Sequence, residues 1–391
     1  MVDSFLESIL KIFLCFLRKI KPIKSQRKTI LICLTTVLFP CLMKGQVVES
    51  YLNYTTDTHF QLNREARTST TKGLLELGFS TNILPHVSFN ANAFLIHGQS
   101  ISKSFGDAFF VSSIDGRNTA RLQNFWLEYM PNKSFWSFRI GKQAFDDEFL
   151  VTPNSDLFIS GAGAFVFTLP VSSPQWPIAT PAFLASFYKE KTTFKAAVYL
   201  SGENLTNESI NKSGLDFSLK TAGALAITEY SQSLDLIDFR IGLFHDSNKT
   251  RNLKTGQESN TSAFYIIAEP KLFENKEHSI TGHLAYSRVF NTSTATIDYD
   301  IRIAALYNTL VNNKKVRVGA GFFFPHVGEA VTDQYGSAIG SEHFTEITLE
   351  LQATQRLFFR TAFQHVLNPG APFGVSLPNG SFLVGRVAFS L

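Results

Sequence analysis

The residues best equipped for recognition chemistry lie between positions 124 and 181. All three tryptophans are there, Trp126, Trp136 and Trp176, with Glu128, Arg139 and Lys142 interleaved. An indole offers a broad apolar face, and a neighbouring guanidinium and carboxylate offer donors and acceptors of fixed geometry. That combination suits a solute carrying both C–H faces and hydroxyl groups. A Gly/Pro/Ser-rich connection over 143–181 follows and contains four acids, Asp146, Asp147, Glu148 and Asp156. Connections this long are uncommon between short elements and are usually functional. The acids could narrow a passage or hold a Ca²⁺, but no calcium-loop spacing accompanies them. A loop buried in a fold needs partners for its charges. The expectation is therefore that these acids pin the loop to basic side chains, with Arg302, Arg317, Arg360 and Arg386 as candidates. Lys142, at the start of the loop, is expected to pair with its acids or to meet a solute. Trp176 is either an anchor for the loop or a stacking surface.

Other chemistries find little support. The nine histidines show no metal-ligand spacing. The three cysteines, Cys15, Cys33 and Cys41, all precede residue 46, so the rest of the chain offers no disulfide, thiolate zinc site or Cys nucleophile. A Ser/His/acid set cannot be assembled, and the reading is that the protein is not an enzyme and needs no cofactor or metal.

The first 45 residues read as a leader. Lys24, Arg27 and Lys28 precede an apolar core over 29–43, and cleavage before Gln46 follows the small Gly45. The core is short and broken by Pro40, which does not suit a transmembrane helix. Residues 1–23 are unusual for a signal peptide; a start site placed too far upstream explains them, and a long basic region or an anchor is the rival. Cys41 lacks the small residue that precedes a lipidated cysteine. The chain carries a formal charge of +4, but 8 of its 36 basic and only 2 of its 32 acidic residues fall in this leader. Residues 46–391 thus hold 28 basic and 30 acidic residues, with no basic surplus for nucleic acid.

The positioning elements come next. After Gln46 the sequence shows period-2 alternation and no convincing helix. Sixteen segments emerge: 51–62, 73–80, 87–96, 122–129, 135–142, 182–188, 193–200, 222–230, 236–244, 262–269, 279–287, 299–308, 316–324, 343–352, 356–364 and 381–391. Residues 214–230 are the ambiguous stretch, readable as one bulged strand or two pieces. Connections after even-numbered segments are short, and those after odd-numbered segments are long and polar. Strict alternation with an even strand count predicts an all-β, 16-stranded antiparallel transmembrane β-barrel of the outer membrane, formed by residues 46–391 as one domain. The faces agree. Leu383, Val387, Phe389 and Leu391 alternate with Arg386, Ala388 and Ser390, while Phe359 and Phe363 alternate with Arg360 and Gln364. Sixteen strands enclose more space than side chains fill, which predicts apolar residues facing lipid and polar residues facing a wet lumen. On this reading Trp126, Glu128 and Arg139 face inward, with Trp126 opposite Arg139 and Glu128 diagonal to it. Trp136 faces outward with Phe138 and Ile140, an interfacial position.

Several ordered stretches resemble the carbohydrate-selective porin (OprB) family. They are Gly98-Gln-Ser-Ile-Ser with Asp107-Ala-Phe-Phe-Val-Ser-Ser, Phe138-Arg-Ile-Gly-Lys-Gln-Ala-Phe-Asp-Asp-Glu-Phe149, Phe158-Ile-Ser-Gly, the Pro-rich run at Gln175-Trp-Pro, Glu342 with Glu346, and Gln364-His-Val-Leu-Asn-Pro-Gly370. The chain departs from the family pattern at Thr361-Ala362, where Pro-Asp is common, and at His365, which replaces an aromatic. The resemblance implies a Gram-negative outer-membrane porin whose third loop folds inward and through which sugars diffuse passively into the periplasm. A general or anion/phosphate-type porin on the same barrel is the alternative, motivated by the inward arginines. Expected partners are sugars as solutes, outer-membrane lipid and the barrel-assembly machinery; a monomer or a trimer fits equally.

Overall fold

The computed structural model describes residues 48–62, 69–131, 135–164, 168–170, 172–217, 223–252, 254–336 and 340–391. The leader expected over 1–45 lies outside them. The strands are β1 (Val48–Gln61), β2 (Ser69–Leu84), β3 (Val87–Gly98), β4 (Thr119–Tyr129), β5 (Trp136–Gln143), β6 (Thr180–Lys189), β7 (Thr192–Ser201), β8 (Gly223–Ser233), β9 (Ile237–Arg251), β10 (Glu258–Glu274), β11 (His278–Val289), β12 (Ile297–Val311), β13 (Lys314–Val327), β14 (His343–Thr354), β15 (Leu357–Leu367) and β16 (Gly380–Ser390). Each pairs antiparallel with its sequence neighbours, and β1 pairs with β16 to close a sixteen-stranded barrel. Closure matters because lipid offers no partner to a free strand edge. The described part of 214–230 resolves into a single strand that starts at Gly223, with 214–217 outside it. The β9–β10 hairpin runs to Arg251 and Glu258, well beyond the expected loop start at His245. Its polar Ser, Asn, Thr and Lys residues keep the backbone ladder going where no apolar face is required.

The outward face is apolar and exposed, as on Ile303, Tyr307, Phe359, Phe363, Leu383, Val387 and Phe389. Trp136 stacks on Phe138 at 6.3 Å on this face. The inward face differs from a uniformly polar wall. Tyr199, Tyr265, Phe323, Phe344, Phe382 and Val384 are buried, and loops from above cover them. Phe145 and Phe149 pack with Tyr199, Leu184 and Leu225 on one side of the lumen. Leu157, Phe158 and Ile159 pack with Phe323, Phe344 and Phe382 on the other, together with Ile101, Phe105 and Phe109. The upper lumen is therefore a hydrophobic core built from strands and loops, and side chains on both strand faces can be apolar there.

Lower in the lumen, charged side chains form a row across neighbouring strands. Arg317, Glu350, Arg360, Arg386, Asp57 and Lys72 are successive cross-strand partners from β13 round to β2. Arg360 directly faces Arg386, a repulsive pairing in isolation. Each turns to an acid instead: Arg360 bonds Glu350, and Arg386 donates to both oxygens of Asp57 at 2.7 and 2.8 Å. The Asp57–Arg386 pair spans the closing seam and is buried. Arg386→Met should leave the Asp57 carboxylate buried without its cation and cost about 3–5 kcal/mol. The urea midpoint of the detergent-folded barrel should fall, and the double variant Asp57→Leu/Arg386→Met should recover most of the loss. A double variant no more stable than the single would refute this role.

Candidate functional site: a channel wall with two seated loops

The described residues of loop 3 (144–179) follow the inner wall in a circuit. It leaves β5 with Glu148 held between Arg139 and Lys195, the latter at 2.7 Å. The Leu150 N–H donates to Glu229 on β8. Asn154 meets Thr281 and Gly282 on β11. Asp156 pairs with Arg317 at 2.7 Å, and its carbonyl accepts from Arg360 at 2.5 Å. The loop tip is held by Glu346 on β14, whose two oxygens accept the N–H groups of Ile159 at 2.6 Å and Ser160 at 3.0 Å. Thr168 then bonds Ser287 on β11, and Ser172 bonds Asp246 on β9 at 2.5 Å on the way back. Gly319 on β13 lies beneath Leu157, so a Cβ there would strike that side chain, and a Cβ at Gly321 would strike Phe323 and crowd Phe158. Their role is clearance for the loop.

Loop 2, residues 99–118, is held in the same manner. The Glu342 carboxylate accepts from the N–H groups of Ala108, Phe109 and Gly370, tying loop 2 to the connection that enters β14 and to the one between β15 and β16. Gln364 donates to the Val111 carbonyl at 2.9 Å. Ser112 and Ser113 bond Asp57 and Arg386 of the seam pair.

The Trp126 corner sits where loop 3 departs. Glu128 is the direct cross-strand partner of Arg139, and Trp126 faces Gly141. The expected pairing was the reverse, with Trp126 opposite Arg139. The true register lies two residues along, which keeps the same faces, and the guanidinium reaches diagonally to lie 4.0 Å over the indole. Gly141 has φ +141°, and a Cβ there would strike the Trp126 backbone, so the residue opposite the tryptophan must be glycine. Arg139 thus joins Trp126, Glu128 at 3.4 Å, and Glu148 of loop 3. These charged side chains are 12–17 % exposed, as is Lys195 at 17 %.

Burial sorts the remaining candidates. Arg317 and Arg360 keep part of their surface on the lumen, at 21 and 15 %. Arg302 and Arg386 are nearly inaccessible: Arg302 pairs with Asp300 on its own strand, and Arg386 with Asp57. Neither pins loop 3. Asp146 accepts the backbone N–H of Trp176 at 2.7 Å, closing the loop on itself, and Asp147 accepts from Asn124. Lys142 is fully buried and meets no loop-3 acid; its ammonium donates to the carbonyls of Leu122 and Gly214 at 2.7 and 2.5 Å. The reason is that β4 pairs with β5 only over Phe125–Tyr129. Above that, the described part of loop 4 (202–217) lies against β4: the Leu122 N–H donates to the Ser213 carbonyl, and Phe217 packs edge-on to Phe125. Loop 4 closes the gap in the wall left by loop 3, and Lys142 is its inner fastening. Trp176 packs on Leu74, Phe94, Ile96 and Ile114, away from the Trp126 corner. Sequence reasoning missed Lys195 and Asp57, and it named Glu346 only within the family resemblance, without a role. Glu346 was accessible to it, since Glu346, Thr348 and Glu350 alternate with Ile347, Leu349 and Leu351. Among the described residues no group of His, Cys, Asp and Glu side chains could hold a metal ion.

Two outcomes follow from the loop seats. Glu346→Ala removes the acceptor of two buried N–H groups, each costing about 1–3 kcal/mol. Single-channel recordings should then show larger, noisier conductance, and a conductance like the parent's would show that Glu346 does not hold the loop. Burial, reinforced by neighbouring Asp107, pushes the Glu342 carboxyl from the usual 4.5 to about 8, against three N–H donors that favour its ionised form. Burial likewise pushes Asp107 from 3.8 to about 7. A carboxyl whose pKa rises on folding binds more protons when folded, so its contribution is full at acid pH and is lost as pH climbs through the folded value. Stability should therefore decline between about pH 4.5 and 8. Glu342→Gln should flatten that decline in urea titrations at pH 5 and 9, whereas an unchanged slope would exclude Glu342 as its source.

Comparison with known proteins agrees with this architecture. The family model described as "Carbohydrate-selective porin, OprB family" matches residues 70–391. A high-pH structure of Pseudomonas putida OprB superposes with TM-score 0.76 at 15 % identity, over 88 % of this chain and 94 % of that one. Its low-pH structure gives TM-score 0.55 at 12 % identity, over 88 and 92 %. An anion-selective porin from Comamonas acidovorans gives 0.53 at 12 % identity, over 89 and 100 %. At these identities the likeness speaks for the fold. No curated protein matches the chain. The family match spans most of the sequence and all but the first strand, and the chain belongs to the OprB family of carbohydrate-selective porins of the outer membrane.

Proposed function

We propose that the chain carries sugars passively into the periplasm, and that the Trp126 corner is where a passing sugar is selected. The carrying observation is an indole ring, a guanidinium 4.0 Å above it and a carboxylate cross-strand, all partly exposed on the lumen beside loop 3. The remaining indole surface takes a sugar's C–H face, and Arg139, Glu128 and Lys195 supply donors and acceptors for hydroxyls. Such contacts are individually weak, which lets the solute leave again. Diffusion of this kind needs neither a reaction nor a cofactor.

The charge pattern favours neutral solutes over anions. Arg139 is offset by Glu128 and Glu148, Arg317 by Asp156 and Glu350, and Arg360 by Glu350. An anion would have to compete with carboxylates already in place. In liposomes the purified protein should pass neutral hexoses faster than charged solutes of equal size. Trp126→Ala should weaken half-saturation by sugar roughly three- to tenfold. Equal rates for neutral and charged solutes would remove the selectivity while leaving a channel.

A further inference from the structure

We propose that Tyr265 is a positioning residue for the sugar route: by holding Glu229, it leaves the Lys195 ammonium free to serve the Trp126 corner. This role rests on the sugar-channel reading above. Lys195 on β7 and Glu229 on β8 are direct cross-strand partners, and Glu229, Gly242 and Tyr265 continue the same row over β8, β9 and β10. Opposite charges placed directly across an antiparallel pair attract, so the local expectation is an ion pair between Lys195 and Glu229. The ammonium goes elsewhere. It bonds the Glu148 carboxylate at 2.7 Å and the Glu148 carbonyl at 2.9 Å. Glu148 also pairs with Arg139, whose guanidinium lies over Trp126, so the lysine joins that corner.

Lys195 is released by the partners that Glu229 already has. One oxygen, Oε2, accepts the Tyr265 hydroxyl at 2.7 Å and the Leu150 N–H at 3.0 Å. The other, Oε1, lies 4.0 Å from Nε of Arg240. The Glu229 side chain is 5 % exposed and that of Lys195 17 %, so the acid is held in the wall while the lysine keeps lumen surface. Neighbouring strands lie about 4.8 Å apart, and Tyr265 has to reach two strands away to meet Glu229. Gly242 makes that reach possible. It stands between the two in the row, and a Cβ there would strike the Tyr265 ring and hydroxyl. The phenol is buried, so its hydroxyl needs an acceptor, and the Glu229 carboxylate is that acceptor. A tyrosine, a glycine and a glutamate on three successive strands thus set the position of a fourth side chain on the next strand. Leu150 ties the same carboxylate to loop 3, so the lysine is set together with the loop that carries its acceptor.

The test uses the full-length barrel in liposomes, as the parent, Tyr265→Phe, Lys195→Met and the double variant, with heat-modifiable gel mobility verifying that each is folded. Tyr265→Phe keeps the ring and removes the hydroxyl, so Glu229 recruits Lys195. Acetylation of Lys195 by acetic anhydride, read by peptide mass spectrometry, should slow about threefold or more, and half-saturation by a neutral hexose should weaken about three- to fivefold. Lys195→Met should weaken half-saturation by a similar factor, and adding Tyr265→Phe to it should change nothing further, because the hydroxyl acts through the lysine. A tyrosine with only a structural role would weaken both backgrounds alike. In folded Tyr265→Phe, unchanged Lys195 acetylation, unchanged half-saturation, or an equal effect with and without Lys195 refutes the role of Tyr265 and leaves the channel reading standing. If liposomes of the parent show no preference for neutral hexoses over charged solutes, the channel reading falls, and the role of Tyr265 with it.

Discussion

A backbone amide carried into the interior of a barrel must find an acceptor, and this one need organises the upper half of the molecule. Glu342 and Glu346 meet it for loops 2 and 3 respectively, each from the start of β14 or just before it. Two carboxylates four residues apart therefore seat two loops that come from the far side of the barrel. Removing water from these groups is unfavourable, and the Glu342 carboxyl resists ionisation accordingly. What offsets the cost is the apolar surface the loops bring with them. Phe105, Phe109, Phe158 and Phe145 cover Phe382, Phe323 and Tyr199, surfaces that water in an open lumen would otherwise bathe.

The seating of the loops decides which charges a solute can meet. Charges that hold the frame together, such as Asp57 with Arg386 and Arg302 with Asp300, are withdrawn from the passage. Charges that border loop 3 keep part of their surface, because one partner is a loop residue that covers only one side. Arg139, Arg317 and Arg360 belong to this second class. The lumen is therefore mixed in sign at close range, which presents hydrogen-bonding groups without a strong net field.

The barrel was legible because its logic is local. Period-2 alternation, short turns and long loops are each written within a few residues, and all sixteen segments correspond to strands. The position of the loops was less legible, because it depends on which inward residues come opposite one another across a lumen. Arg302 and Arg317 look alike in sequence, yet a neighbouring Asp300 claims the first and the passing loop claims the second. The Trp126 register shows the same limit at smaller scale. The turn between β4 and β5 fixes which residue faces Arg139, and alternation alone gives the face but not the partner. Lys142 escaped because its environment is made by loop 4, seventy-two residues later in the chain.

Where β4 parts from β5, the partition between membrane and water is loop, fastened by Ser213, Gly214 and Phe217. Surface loops ordinarily tolerate insertion, deletion and sequence change. This one is not free in that sense between Ser213 and Phe217. A deletion there would take away the partners of the Leu122 N–H and the Lys142 ammonium, so a change in how far loop 3 turns inward obliges this part of loop 4 to change with it.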